Sequence, residues 1–253
     1  MKIKQDIPWL KNKYLNKNIW LINKSDHYIF HYFKGSLAEK DINKIIENQE
    51  RFYRKILEAL RLENGRKIYY YLYPSREIKM QLMGDDGYGI AIWQEIENKK
   101  DYWESRKFEI HAIYNEKDKV IGGHEDSHLL SLSWGAAIYL FSEGLAEFLS
   151  EGWCGEDVDI WAKKNLLGNK LYPIRFLIDN KNWSKVDDMI VYPQAGSFVR
   201  YLINNYGMER FKESYKKLSR KNNVKENINI IEKNYRKQLE ELEREWKCYL
   251  EGK

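Results

Sequence analysis

The chain has 253 residues, of which 43% are hydrophobic and 15% aromatic, so it can build a packed core and is not intrinsically disordered. Its 43 Lys and Arg residues against 38 Asp and Glu give a net charge of +5, and their scattered placement does not indicate a nucleic-acid partner. Two cysteines provide neither a disulfide framework nor a paired-cysteine metal motif. No apolar run suits a signal peptide or a membrane span, so we expect a cytoplasmic protein unless a leader has been removed. No feature predicts an oligomeric state.

The first part of the chain alternates between β-prone and helical stretches. Runs of aliphatic and aromatic residues predict strands over residues 19–22, 28–33, 67–73, 90–93 and 108–114. Between the second and third of these, residues 37–62 carry apolar side chains at spacings of three, four and seven, which predicts a long amphipathic helix. Three closely spaced glycines, Gly84, Gly87 and Gly89, indicate a loop before the fourth strand.

After residue 119 the pattern becomes helical. We predict helices over residues 120–132, 136–150, 157–167, 194–206, 209–218 and 228–250. The last one carries a single apolar stripe, which we expect to dock on the chain's own core rather than on a second copy. A strand-rich part followed by a helical part predicts an α+β fold. We place an N-terminal α/β part at residues 1–118 and a helical part at residues 119–253, together forming one integrated unit.

One short motif carries chemistry: His124-Glu125-Asp126-Ser127-His128 has the pattern HExxH. Residues four apart lie on the same face of a helix, so His124 and His128 can bind one metal ion. Glu125 can then point toward the open coordination position and act as a general base toward water. Such a motif arises by accident in about one chain of this size and composition in a hundred, so on its own it does not establish a metal site.

The next predicted helix supplies what the motif lacks. It contains Glu143 and Glu147, which are four residues apart and therefore share one face. A catalytic zinc site takes three protein ligands and leaves one position open, so Glu143 completes a set of two histidines and one carboxylate. Glu147 can accept a hydrogen bond from the outer nitrogen of a ligand histidine and fix its tautomer. The sequence thus predicts a Zn²⁺ site in the 119–253 part.

An HExxH motif followed by a helix that contains the letters EGLAE, residues 143–147, resembles the gluzincin zinc metallopeptidases, and within them the peptidase MA-like branch. Two later stretches are also similar to that family: residues 192–207, which begin with Tyr192-Pro193-Gln194, and residues 239–250. The likeness covers the chain from about residue 105 to its end. It implies a zincin-like fold, in which a small mixed sheet with an edge strand at the cleft lies over the HExxH helix.

The resemblance also implies a role for each residue that matches the motif. His124 and His128 correspond to the first two zinc ligands, Glu143 to the third ligand, and Glu125 to the general base. Glu147 corresponds to the carboxylate that accepts a hydrogen bond from a ligand histidine and does not itself bind the metal. Tyr192 stands where such enzymes often place a phenol that donates a hydrogen bond to the tetrahedral oxyanion.

Two features of this chain depart from that family. Only 14 residues separate His128 from Glu143, so the connection must turn tightly, for which Gly135 is suited. Asp126 stands inside the motif where an apolar residue is more usual, and we expect it on a solvated flank of the helix. Outside the motif, we expect His111 to be a half-exposed strand residue without a role in the site.

These expectations favour a zinc-dependent peptidase that acts on a peptide or protein substrate. We expect an extended substrate to add to the edge strand, either residues 108–114 or residues 88–93. No motif for binding a substrate amino terminus is evident, which favours an endopeptidase over an aminopeptidase. Two alternatives stay open: a zinc-containing peptide- or protein-binding module without turnover, for which Glu125 would be dispensable, and a structural helical domain without metal.

Overall fold

The computed structural model describes residues 3–4, 7–63, 65–96 and 106–252. It confirms the α+β class, with a small mixed sheet in the N-terminal half. The chain divides into two compact units, Met1–Leu130 and Ser131–Lys253. The first unit contains the sheet together with the helix that carries the HExxH motif, and the second is helical apart from an isolated bridge between Trp153 and Glu156.

The sheet of the first unit has six strands in the order β1-β5-β6-β4-β3-β2. The strands are β1 (Ile3–Lys4), β2 (Leu21–Lys24), β3 (Tyr28–Tyr32), β4 (Ile68–Tyr73), β5 (Gly89–Ile96) and β6 (Arg106–Ile113). β3, β4 and β6 run parallel, whereas β2, β5 and β1 pair antiparallel with their neighbours. Parallel central strands need both faces covered, which explains why β4 is built entirely of apolar and aromatic residues and why even Lys107 and Glu109 on β6 are buried.

One of the two predicted edge strands is wrong. Residues 108–114 lie largely in β6, which is an interior strand between β5 and β4. The other candidate, residues 88–93, lies almost wholly in β5, and β1 pairs with this strand only at Glu95 and Ile96. Within the part of the chain that the structure describes, β5 therefore keeps an unpaired edge over its first six residues, and Trp93 on it is 43% exposed.

Three helices complete the first unit: α1 (Leu37–Leu60), α2 (Arg76–Met83) and α3 (Gly123–Ser131). α1 begins at Ser36, whose hydroxyl accepts a hydrogen bond from the Glu39 N–H, and it ends at Arg61 in the left-handed region (φ 51°). α2 was not predicted, although Ser75 caps it in the same manner.

On one sheet face, an aromatic and aliphatic core includes Tyr14 and Trp20, contributed by the segment before β2. Short 3₁₀ helices span Asn12–Leu15 and Lys17–Ile19 in that segment.

His111 is not half-exposed as expected but fully buried. It lies on β6, and both faces of this interior strand are covered. Its Nδ1 is 2.8 Å from the Tyr73 hydroxyl, and the neighbouring Glu109 carboxylate accepts hydrogen bonds from Tyr14 and Gln94. Lys107 also donates to Glu109. His111 Nε2 makes no hydrogen bond with the described residues and lies 3.7 Å from Glu109 Oε2. The hydrogen bonds and the Lys107 ammonium around Glu109 allow this sheet face to accommodate a carboxylate that isolated burial would exclude.

His31 on β3 gives a testable pH dependence of stability. Its ring stacks on Tyr71 with centroids 4.3 Å apart, and burial lowers the pKa of its imidazole to about 4. An unfolded imidazole titrates near 6.5, so between pH 6.5 and pH 4 the unfolded chain binds a proton that the folded chain does not. The free energy of unfolding therefore falls as pH falls through this range, by about 3 kcal/mol from this residue.

The variant His31→Phe keeps an aromatic ring but cannot titrate. We expect its free energy of unfolding to fall less than that of the parent when the pH is lowered from 7 to 4.5, by a difference of about 2–3 kcal/mol. Urea denaturation of both proteins with excess chelator measures the difference, because the chelator removes any contribution from bound metal. Parallel pH profiles of parent and variant would contradict the assignment.

The second unit contains seven helices in the described residues: α4 (Tyr139–Leu149), α5 (Val158–Leu167), α6 (Ile174–Ile178), α7 (Asp188–Tyr206), α8 (Met208–Lys217), α9 (Val224–Tyr235) and α10 (Leu239–Glu251). Two 3₁₀ helices, Leu132–Trp134 and Asn180–Lys185, stand among them. α7 is the central helix and packs against α4, α5, α8 and α10. No helix in the described ranges is both long and apolar enough to cross a membrane.

The predicted single helix over residues 228–250 is wrong, because the structure breaks it into α9 and α10. Arg236 adopts the left-handed conformation (φ 56°) and ends α9, and the Glu232 carboxylate accepts a hydrogen bond from the Leu239 N–H at the start of α10. The apolar stripe is nevertheless buried along both helices, as the expected docking on the chain's own core requires. Its members are Ile228, Ile231, Tyr235, Leu239, Leu242, Trp246 and Leu250.

Candidate metal centre

The HExxH motif forms the first turns of α3. His124 and His128 are half-buried, and their Nε2 atoms lie 3.1 Å apart. Two nitrogens bound to one tetrahedral zinc at 2.0–2.1 Å would be about 3.3 Å apart. The two imidazoles thus converge on one point at nearly the separation that a shared ion requires, as expected for residues one helical turn apart.

Glu143 lies near the middle of α4 and is half-buried. One ligand atom from each of His124, His128 and Glu143 lies within 4.8 Å of the other two, and this is the only such group of three among the described residues. The set comprises two neutral nitrogen donors and one carboxylate oxygen, a combination that suits Zn²⁺. The residues present therefore fit a zinc ion.

Glu125 lies beside the histidines on α3 and close to the first residue of β5. A Cβ atom added to Gly89 would come within 2.8 Å of Glu125 Oε1 and 3.1 Å of the Val120 side chain. A side chain at this position would displace the Glu125 carboxylate, so the start of β5 and the carboxylate of the predicted base are in close proximity. Sequence reasoning treated Gly89 only as a loop residue.

A buried lysine holds the loop that leads to Gly89. Lys79 on α2 is fully buried, and its Nζ lies 2.5 Å from Asp85 Oδ2 and 2.7 Å from the Gly87 carbonyl oxygen. Burial lowers the pKa of this ammonium group, while Asp85 acts in the opposite direction. The loop is thus fixed from inside the unit. Nothing in the local sequence distinguishes Lys79 from a surface lysine, which is why it was missed.

Asp126 is not on a solvated flank as expected. Its carboxylate is fully buried and accepts hydrogen bonds from the Tyr28 hydroxyl and from Gln49 Nε2 (3.0 Å). Burial raises the pKa of this carboxyl group to about 7, and the neighbouring Glu125 acts in the same direction. The motif helix therefore presents its histidines on one side and anchors a carboxyl group to the sheet and to α1 on the other.

Glycines allow α4 to pack very closely against α7. A Cβ atom added to Gly144 would lie 2.4 Å from Val199 Cγ2 and 2.6 Å from the Ala195 carbonyl oxygen, and one added to Gly196 would lie 2.6 Å from Glu147 Cβ. Gly144 directly follows Glu143, so this packing fixes the part of α4 that carries the predicted carboxylate ligand. Glu147, one turn later, is 1% exposed. Its predicted hydrogen bond to a ligand histidine stays a prediction.

We expect Gly144→Ala to destabilise the protein by about 2 kcal/mol. Alanine gains about 1 kcal/mol in helix propensity, but overpacking against the backbone of α7 costs about 3 kcal/mol, the upper end of the usual range, because a carbonyl oxygen cannot move aside as a side chain can. Gly168→Ala is the matched control, since its nearest contact would be an ordinary 3.4 Å and its φ is not positive. Thermal or urea denaturation measures both variants, and equal stability of the two would contradict the packing argument.

Tyr192 lies inside α7, not before it. The helix begins at Asp188 and passes through Pro193, whereas the predicted helix begins only at Gln194. Proline cannot donate to the Met189 carbonyl oxygen, which instead faces the Asn165 side-chain amide at 3.5 Å. The Tyr192 ring stacks on Trp153 with centroids 4.9 Å apart and meets Trp183 edge-on at 6.1 Å. Its role as an oxyanion donor stays a prediction.

Comparison with models of known protein families gives no match, and comparison with curated proteins gives none either. A function for this chain is therefore inferred from its own residues.

Proposed function

We propose that this protein is a zinc-dependent peptidase of the gluzincin type, with a zincin-like fold and a peptidase MA-like arrangement of its site. His124, His128 and Glu143 hold one Zn²⁺, and Glu125 is the general base. The observation that carries the proposal is the convergence of three ligand atoms within 4.8 Å, with two imidazole nitrogens 3.1 Å apart. A hydrogen bond between the two imidazoles would explain their separation without metal, so the Glu143 oxygen beside them is what favours a metal centre over a structural helical domain.

When bound, zinc supplies Lewis acidity, which polarises a carbonyl group and lowers the pKa of water toward about 7. Glu125 accepts one proton from the attacking water and delivers it to the leaving nitrogen. The water oxygen bonds to the carbonyl carbon and the C–N bond breaks. The second water proton also passes to the leaving nitrogen, so the products are a carboxylate and an ammonium group. Tyr192 donates a hydrogen bond to the oxyanion, and Glu147 orients a ligand histidine.

An extended peptide adds as a further strand along the edge of β5 that no other described strand pairs with, which starts beside Glu125 at Gly89. Main-chain hydrogen bonds to a strand edge are independent of the peptide's termini, which favours an endopeptidase over an aminopeptidase. A zinc-containing binding module without turnover is the second candidate, because the same strand edge would hold a peptide with or without hydrolysis.

The test is zinc content and amide hydrolysis of the full chain prepared without chelator. We expect about one zinc per chain, cleavage of peptides from a broad library, loss of cleavage with a chelator and recovery on adding zinc. Fewer than about 0.2 zinc per chain, with no uptake of added zinc, would overturn the metal centre. Stoichiometric zinc with peptide retention but no new termini would favour the binding module.

A further inference from the structure

Gln49 is a fully buried polar side chain in the middle of α1, and it contacts the motif helix directly. Its Oε1 accepts a hydrogen bond from the Gly122 N–H at 2.8 Å. Its Nε2 donates to the Gly122 carbonyl oxygen at 3.1 Å and to Asp126 Oδ2 at 3.0 Å. One side-chain amide thus binds both main-chain groups of the residue before α3 and a carboxylate one turn further on.

The three contacts fix α3 in two ways. Gly122 has a φ of 133°, so the chain turns into the helix through a conformation that favours glycine, and Gln49 holds that turn by its backbone. Asp126 stands between His124 and His128 in sequence, two residues from each, and so projects from the side of the helix away from the imidazoles. Tyr28 donates its hydroxyl hydrogen to the other carboxylate oxygen of Asp126. These bonds resist both sliding and rotation of α3.

Small rotations matter at a metal centre. A rotation of α3 by about 10° about its axis would move a ligand nitrogen about 6 Å from that axis by about 1 Å, whereas a preorganised site tolerates about 0.5 Å. The hydrophobic effect that buries apolar side chains is not directional. Hydrogen bonds to a backbone turn and to a carboxylate are directional.

We propose that Gln49 is a positioning residue for the metal centre, which sets the rotation of α3 and thereby aims His124 and His128. This inference rests on the proposed zinc-binding function. A role confined to core stability predicts that removing Gln49 lowers stability alone. A positioning role predicts in addition that the folded protein binds zinc more weakly and in a changed geometry.

The test compares Gln49→Met with Gln94→Met. Methionine keeps the length of the side chain but cannot form the hydrogen bonds. Gln94 is a matched control, because it is also buried in the first unit and donates to the Tyr14 hydroxyl (3.0 Å) and to Glu109 Oε2 (2.9 Å). Zinc dissociation constants are measured by competition with a chromophoric chelator, at a temperature where circular dichroism shows every variant folded. Visible absorption of the Co²⁺-loaded proteins reports the geometry of the ligands.

We expect Gln49→Met to raise the zinc dissociation constant by about 10- to 100-fold and to change the Co²⁺ spectrum, while Gln94→Met stays within about twofold of the parent despite a similar loss of thermal stability. Tyr28→Phe and its control Tyr14→Phe each delete one hydroxyl group bonded to a buried carboxylate. If Gln49→Met does not fold, this second pair of variants tests the positioning role instead, because only Tyr28→Phe should weaken zinc binding.

The positioning role would be overturned if Gln49→Met kept the zinc affinity and the Co²⁺ spectrum of the parent. If Gln49→Met does not fold, the same result in Tyr28→Phe would overturn it. Either result would leave the proposed metal centre intact. An equal loss of affinity in the control variants would do the same, since it would show a general effect of stability. A parent that takes up no zinc would overturn the metal centre and this inference together.

Discussion

Replacing Glu125 with Gln should abolish most of the hydrolytic activity while zinc remains bound. The carboxamide is similar in size to the carboxylate and can still lie beside Gly89, but it cannot accept a proton from water at neutral pH. General-base catalysis contributes about 10²- to 10⁴-fold, so kcat should fall by that factor. The peptide cleavage rate and the zinc content of the same preparation measure the two effects.

Glu116→Gln is the control for this substitution, since it changes an exposed carboxylate shortly before the motif helix. It should leave both the rate and the zinc content unchanged. Full activity in Glu125→Gln would show that the assigned base is wrong. Loss of zinc in that variant would show instead that Glu125 holds the metal, which would require a different set of ligands.

Replacing Glu143 with Gln should weaken zinc binding by about a hundredfold or more, because one of three protein ligands is lost and with it the negative charge in the set. Competition with a chelator measures the dissociation constant, and zinc content after dialysis gives a second reading. Activity should fall in proportion to the zinc lost at low metal concentration, and excess zinc should restore part of it.

Glu147→Gln distinguishes the two carboxylates of α4. An acid that only orients a ligand histidine should weaken zinc binding less, by about 10- to 100-fold. If Glu147→Gln lost its zinc while Glu143→Gln retained it, the roles of the two residues would have to be exchanged. Glu147 is the more buried of the pair, which suits a group that supports a ligand rather than one that faces solvent.

The local part of this architecture could be predicted from the sequence. The His124 and His128 pair follows from the spacing of residues on one helical turn, and the same rule placed Glu143 and Glu147 on one face. The helices and most strands follow from apolar periodicity, since these patterns arise from contacts with neighbours a few residues away. The breaks between elements were harder. Arg236 has no special preference for the left-handed conformation, so nothing marked the boundary between α9 and α10.

The non-local part could not be predicted. Asp126 resembles a surface residue in the sequence, and its burial depends on Tyr28 and Gln49, which are 98 and 77 residues away in the chain. The same holds for β6, whose place inside the sheet depends on its pairing with β5 on one side and with β4 on the other. Single-sequence patterns contain no information about which distant residues meet, so buried polar partners are the features that such reasoning overlooks.

Gln49 binds the main chain of Gly122 rather than a side chain, and this has a consequence for how the segment before the motif can change. Residues 116–119, which are mostly exposed, should accept many substitutions, because the amide recognises only the position of the peptide groups at Gly122. Their number should be far less variable, since one inserted residue would shift Gly122 away from Gln49 and turn the two imidazoles away from Glu143. Randomised libraries of this segment should therefore retain zinc binding at fixed length and lose it when a residue is added or removed.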